Sequence, residues 1–365
     1  DVCSSDLFAQ YGFPESHAIS FAILAYASAY LKAHHPAVFY TSLLNAWPMG
    51  FYHPSTLLHD ARRHGVRVLP IDVNHSKVLC TIEHPPDREH YHWSPELPPN
   101  VVPLSGAALH QRPPRGASPD TGPPSRVVRL GLRFVRGLSV RAAEALVREQ
   151  PFQDLADVRR RCPELTQAEL LTLAEIGAFA GLPDQPSRRE ALWQVSQLAQ
   201  SGGPLLQRLS DDASPLAEMS LAERVLADLE GTGVTVGPHP LRLCRPQLAE
   251  LGAVTAERVG TLPHGTEVRV AGLVIVRQRP ATARGAFFLT MEDESGLLSA
   301  TVSPQDFGAM RPVLISATGL LLHGTVDVRD GARSLRVSRC YDLGQVLSAY
   351  GATLRPTTTY GRSYG

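Results

Sequence analysis

Lysine is almost missing from this 365-residue chain. Lys32 and Lys77 are the only two among 35 basic residues, which leaves 33 arginines. Arginine offers a rigid, permanently charged fork suited to phosphate, although an arginine-favouring coding bias produces the same excess. Net charge is also missing: 35 acidic residues balance the 35 basic ones, so no global field argues for nucleic acid. The five cysteines (Cys3, Cys80, Cys162, Cys244 and Cys340) are odd in number, far apart and form no CxxC pair. That excludes a zinc ribbon or a disulfide framework and fits a reducing, cytoplasmic setting. There is no P-loop, nucleophile elbow or zinc motif. Nor is there an Asp-x-Asp on a strand of the kind that holds paired metal ions for nucleotidyl transfer. Glu292-Asp293-Glu294 reads as a solvated turn. On their own, these residues contain no active site.

Long hydrophobic runs are absent too. The best stretch, Ala18 to Leu31, has 14 uncharged residues, is interrupted by Ser20 and Ser28, and ends at Lys32-Ala33-His34-His35-Pro36. A bilayer span needs roughly 20 apolar residues, so this run reads as a buried core helix crowded by neighbours. No signal peptide or membrane span is read.

What is present divides the chain. Residues 1–7 read as a non-native scar. Residues 8–82 carry helical signals: Ser16 as a cap, Pro36 as a break before "AVFYTSLLNAW", and Ser55 as a cap for "TLLHDARRHG", with Gly65 at its left-handed exit. A short strand, "VRVLP", follows. Residues 83–126 shift to Pro, His, Gly and Ser without periodicity and read as a disordered surface insertion. Its His84, His90 and His92 lack the spacing of a metal site. Residues 127–200 resume order, with a capping box at Thr166 and Glu169. Residues 201–262 form a linker with one helix, capped by Ser220 and Glu223. Residues 263–345 alternate with a period of two through five short strands, including a turn at Asp330-Gly331, and predict a small barrel of the OB type. Residues 346–365 are a polar tail. The fold class is therefore multidomain α+β, mostly helical and then a five-stranded barrel.

Two regions suggest chemistry. Arg136, Gly137, Ser139 and Arg141 form a Gly-containing turn at a helix N-terminus, where backbone N–H groups and the helix dipole favour phosphate. Nine arginines lie between Arg126 and Arg161 against four acids, Glu144, Glu149, Asp154 and Asp157, if Glu164 just beyond is left out. This is the pattern of a helix-hairpin-helix gripping a duplex backbone; an ordinary helical hairpin with a solvated face fits equally. In the barrel, Arg277 and Arg279, Phe287 and Phe288, then Arg333, Arg336 and Arg339 interleave charge with rings, which suits a single strand. Alternation buries one phenylalanine, and Arg277 and Arg279 are expected to share a face. A tRNA-binding barrel and a non-enzymatic DNA-binding module remain alternatives.

"YGFPESHAISFAILAYASAYLKAHHPAVFYTSLLNAWPMGFYHPSTLLHDARRHGVRVLPIDVNHS" resembles the fingers region of bacterial C-family DNA polymerases, and "PMGFY" is similar to the error-prone relatives of the polymerase III alpha subunit. "LGLRFVRGLSVRAAEALV" and "LAEIGAFAGL" resemble the start and end of that family's helix-hairpin-helix region. "VRVAGLVIVRQRPATARGAFFLTMEDESG" resembles the start of its OB domain. The resemblance implies a C-terminal fragment of an enzyme that copies primer-template DNA from deoxynucleoside triphosphates with magnesium. Its catalytic aspartates would lie in an upstream palm, so this chain alone is expected to be inactive and to bind no metal. It also implies that Ser16 and His17, with Lys32 as a phosphate candidate, lie near the incoming nucleotide. Ser139 stands where a second hairpin glycine is usual. Residues 203–206 lack a Gln-x-x-Leu/Met-Phe clamp motif, so clamp contact is expected to be indirect, through an accessory polymerase-like protein.

Overall fold

The computed structural model describes residues 15–49, 52–83, 126–200, 217–349 and 362–364. Residues 1–14, the insertion at 84–125, the segment at 203–206 and most of the tail lie outside these. Proline sets the first helix boundaries. Helix α1 spans Glu15–His34, and Pro36 then starts α2, Pro36–Ala46, since its missing N–H is one the first turn leaves unused. Helix α3, Pro54–Arg63, begins the same way. Its cap is His53, whose Nδ1 accepts the Ser55 N–H at 3.2 Å, and Ser55 itself is already helical. Ser16 likewise sits inside the first turn of α1 rather than at its cap. Gly65, at φ +77°, makes the expected left-handed exit.

The uncharged run does not form a buried core helix. Along α1, Ile19, Ile23 and Tyr26 are 57%, 62% and 74% exposed. A helix without charge on any side needs cover on every side. Among the described residues, α1 is tied down near its C-terminal end, where Lys32 pairs with Asp60 of α3 at 2.8 Å.

Strands β1 (Val68–Leu69), β2 (Thr81–Glu83) and β3 (Val127–Arg129) form a small sheet in the order β1-β3-β2. β3 runs parallel to β1 and antiparallel to β2, with Glu83 opposite Val127. A 3-10 turn, Leu132–Phe134, leads to α4 (Val140–Glu149), α5 (Leu155–Arg161), α6 (Gln167–Glu175), α7 (Arg188–Gln200) and α8 (Leu221–Thr232). Both predicted capping boxes are present, Thr166 with Glu169 and Ser220 with Glu223. One apolar core runs through α2 to α7 and the small sheet and includes Tyr40, Leu44, Leu132, Leu146, Phe152, Leu173 and Phe179, while Val225 and Leu229 of α8 join another.

Short elements α9 (Pro240–Leu243), α10 (Arg245–Glu250), β4 (Ala253–Val254) and α11 (Ala256–Val259) lead into the barrel. Its strands are β5 (Glu267–Gln278), β6 (Phe287–Glu292), β7 (Leu297–Val302), β8 (Gly319–Arg329) and β9 (Ala332–Asp342). They close in the order β5-β6-β7-β9-β8 and back to β5, with only β7 and β9 parallel. This is the OB-type topology. Helix α12, Pro304–Ser316, places Phe307 against Phe287, with ring centroids 5.0 Å apart. Asp330 and Gly331, at φ +49° and +79°, make the β8–β9 turn. Helix α13 (Leu343–Ala349) adds Leu343 and Leu347 to a second core against β5 and β8, and β10 (Arg362–Tyr364) lies parallel to β5.

The acidic triplet at the end of β6 is not solvated. Glu292 and Asp293 are buried, and the three carboxylates join the barrel to the helices. Glu292 receives Arg63 at 3.0 Å and His59 at 3.2 Å, while Asp293 accepts the Ala256 N–H at 2.8 Å. Arg245 pairs with both Asp293 and Glu294. A turn read from its own residues looks solvated; the arginines that bury it lie 48 or more residues away.

Candidate nucleic-acid interface

The hairpin at residues 136–139 joins the 3-10 turn to α4. Gly137 has φ +77° and open space where a Cβ would stand, so another backbone can approach it closely. Ser139 caps α4: its Oγ accepts the Ala142 N–H at 3.2 Å, and its own N–H is taken by the Glu169 carboxylate at 2.8 Å. Burial raises the pKa of Glu169, but hydrogen bonds from Ser139 and Thr166 outweigh it and hold the carboxyl below its ordinary range. The Ser139 N–H is therefore committed inside the protein and does not face a phosphate.

Arg136 is exposed but also docked. Its backbone N–H donates to Gly231 O at 2.7 Å and its guanidinium to Glu230 O at 3.1 Å, at the negative end of the α8 dipole. Nearby His53 is pushed down to about 4, first by burial and then by the charge of Arg136. Most of the other arginines in the cluster are committed as well. Arg129 is buried against Glu83, Arg133 bridges the carbonyls of Asn45 and Trp47, and Arg148 pairs with Glu149 and Glu164. Arg159 donates to Leu165 O, Arg160 pairs with Asp157, and Arg161 pairs with Asp157 while stacking on Phe152. Arg126 and Arg141 are exposed and carry no hydrogen bond or ion pair among the described residues. The open part of this surface is thus Gly137 with Arg141, and Arg126 some distance along the chain. A count of arginines in sequence overstates it.

In the barrel, the two phenylalanines divide as alternation requires: Phe287 is buried and Phe288 is 37% exposed. Phe288 lies opposite Thr301 on β7, and Thr301 lies opposite Arg336 on β9. Partners in register share a face, so Phe288, Thr301 and Arg336 form one outward row across three strands. Arg333 sits at the strand end, exposed, with its Nε donating to Leu262 O at 3.3 Å, outside that row.

Arg277 and Arg279 do not share a face. Arg277 is buried and donates to the carbonyls of Leu314 and Ala317, capping the C-terminal end of α12. Strand β5 ends at Gln278, so the alternation that would align the two arginines stops between them. Arg279 is exposed, with its guanidinium carbon 4.4 Å from the Phe307 ring centroid.

Ser16 and His17 lie in the first turn of α1. Lys32 is held by Asp60, which also accepts from the Tyr40 hydroxyl at 2.6 Å. Burial raises the pKa of Asp60, but the bonds from Lys32 and Tyr40 outweigh it and keep the carboxylate ionised. Lys32 is thus committed to fastening α1 to α3 and is not a free phosphate contact.

Fold and surface together define a helix-hairpin-helix protein that carries an OB-type barrel. A family model described as "Helix-hairpin-helix motif" matches residues 65–191. Over 93% of its length the chain is 41% identical to the error-prone DNA polymerase of Methylococcus capsulatus, covering 31% of that protein. Over 90% it is 42% identical to the error-prone DNA polymerase of Anaeromyxobacter dehalogenans, covering 27%. By sequence the chain is thus similar to error-prone DNA polymerases over nine-tenths or more of its own length, and it spans about three-tenths of the length of these relatives. Among solved structures, asparaginyl-tRNA synthetase from Pyrococcus horikoshii overlays on 25% of this chain and 23% of its own, with 19% identity and a TM-score of 0.22, too slight to weigh. Among the described residues, no helix is long and apolar enough to cross a membrane.

Proposed function

We propose that this chain serves an error-prone DNA polymerase in damage-induced translesion synthesis, as its fingers, duplex grip and single-strand platform. The row Phe288–Thr301–Arg336 carries this reading. A ring for stacking on the second barrel strand and a guanidinium for phosphate on the fifth stand two strands apart, roughly 10 Å at the ordinary strand spacing, with Thr301 of the third strand between them; the second and third strands are those OB barrels use for oligonucleotides. The hairpin adds a sequence-independent grip on duplex primer-template through Gly137, Arg141 and the N-terminus of α4. Ser16 and His17 at the start of α1 are assigned to the deoxynucleoside triphosphate side, and the apolar sides of α1 to the remainder of the polymerase. An accessory polymerase-like protein would link the enzyme indirectly to the sliding clamp.

Magnesium, which the family's chemistry requires, does not fit the carboxylates described here. Magnesium takes a set of oxygen donors, whereas Asp293 and Glu294 are taken by the Arg245 guanidinium and the Ala256 N–H, and Glu292 stands beside an imidazole and a guanidinium with no second open carboxylate next to it. Primer extension by the purified chain, with magnesium and all four nucleotides, is therefore expected to give no template-dependent product. Any such product would place an active site within this chain.

The duplex grip is tested by Arg141→Ala. Loss of one phosphate contact is expected to weaken binding about equally for all duplex sequences. It should also flatten the slope of log affinity against log salt by about one. An unchanged slope would mean that Arg141 only faces solvent.

A further inference from the structure

The junction between α3 and the barrel contains a group of side chains that the polymerase reading does not use. His59, His239 and Glu292 are each more than nine-tenths buried, and one potential ligand atom from each lies within 4.8 Å of the others. The two imidazole rings are 4.8 Å apart between centroids. The Nε2 atoms of both histidines are buried without a hydrogen-bond partner. Two such atoms on neighbouring rings call for an explanation, because a buried polar group left unpaired costs about 1–3 kcal/mol.

We propose that His59, His239 and Glu292 bind one divalent transition-metal ion of the zinc class. Two imidazoles and a carboxylate are a donor set such an ion takes, with a fourth position left for water. Metal–nitrogen distances of about 2.0–2.1 Å would draw the donors inward by roughly an ångström. The supports are in place: Arg63 holds the second oxygen of Glu292 at 3.0 Å, fixing the carboxylate. His239 Nδ1 now accepts the Leu241 N–H at 3.2 Å. Coordination through Nε2 moves the ring proton to Nδ1, so that long contact from the Leu241 N–H is given up. The positive charges facing the site are Arg62, Arg63 and Arg245. Arg63 and Arg245 are already paired with Glu292, Asp293 and Glu294, so added cationic charge meets a locally balanced field. The three ligands come from α3, the segment before α9 and the end of β6. The ion would therefore act as a cross-link between helical body and barrel, away from any reacting group.

The test uses the full chain, stripped with a chelator and then dialysed against micromolar zinc. One equivalent is expected to remain bound, to raise the thermal midpoint, and to be removed again by chelator. Cobalt should give the visible absorption of a four-coordinate site. Losing a group that merely supports a ligand costs about 10–100-fold in affinity, so His59→Asn and His239→Gln are each expected to cost at least about 100-fold. The triple variant His84→Ala, His90→Ala and His92→Ala should keep the full equivalent. If a ligand variant fails to fold, the stoichiometry and cobalt spectrum of the unaltered chain, together with the triple variant, still decide. The proposal is overturned if the unaltered chain retains no zinc, leaving an ordinary buried water as the partner of the two rings. Binding that survives in both ligand variants, or that disappears in the triple variant, overturns it as well.

Discussion

Alanine at Phe287 is expected to lower the stability of the barrel by about 3–5 kcal/mol, the ordinary cost of the cavity left by a buried phenylalanine. The ring is 5% exposed and packs on Phe307 of α12, so its loss also loosens the helix that closes one end of the barrel. Alanine at the very next residue should behave oppositely. Phe288 is 37% exposed, and its removal is expected to leave stability within about 1 kcal/mol. It should instead weaken single-strand binding by about 1–3 kcal/mol, the worth of one base–aromatic stack. Urea unfolding and titration with labelled oligonucleotides, both on the full chain, separate the two. If Phe288→Ala binds single strands like the parent, the outward row is not a nucleic-acid platform.

The second large effect concerns Arg129. Its guanidinium is buried and donates to both Glu83 oxygens, at 2.9 and 3.0 Å, and to Pro70 O at 3.1 Å. Breaking a buried pair from one side is strongly destabilising, by about 3–5 kcal/mol. Glu83→Ala is expected to destabilise the helical body by that amount. The double change Glu83→Ala with Arg129→Met, which removes both charges, should recover much of the loss. Chemical denaturation of the two variants measures this; equal losses in both would show that the ion pair is not the cause.

Features that depend on neighbours in sequence were legible from sequence. The capping boxes at Thr166 and Ser220, the left-handed exit at Gly65, the Asp330-Gly331 turn and the period-two strands of the barrel each have their physical cause within a few residues. The division of labour between Phe287 and Phe288 was legible as a rule, though not which ring was which. What sequence hid was commitment. Arg136, Ser139, Arg277, Lys32 and Glu292 all look available in a string, and each is held by a partner 28 or more residues away. Charge tells what a side chain can bind and says nothing about what already holds it. The exposed α1 follows from the same limit. An uncharged helix advertises a need for cover, and the string does not say whether the cover lies in the same stretch of chain.

The small sheet beside α2 has a consequence for how this molecule tolerates change. Glu83 and Val127 face one another across β2 and β3, so strand pairing holds together the two ends of the segment that joins them. Whatever length lies between them, the ends are already brought together by the strand pairing. Each doubling of that length costs only about 0.6 kcal/mol in closure entropy. The paired strand ends are thus a natural place to add length: a tag or a foreign domain inserted between them is expected to add only this slowly growing closure cost.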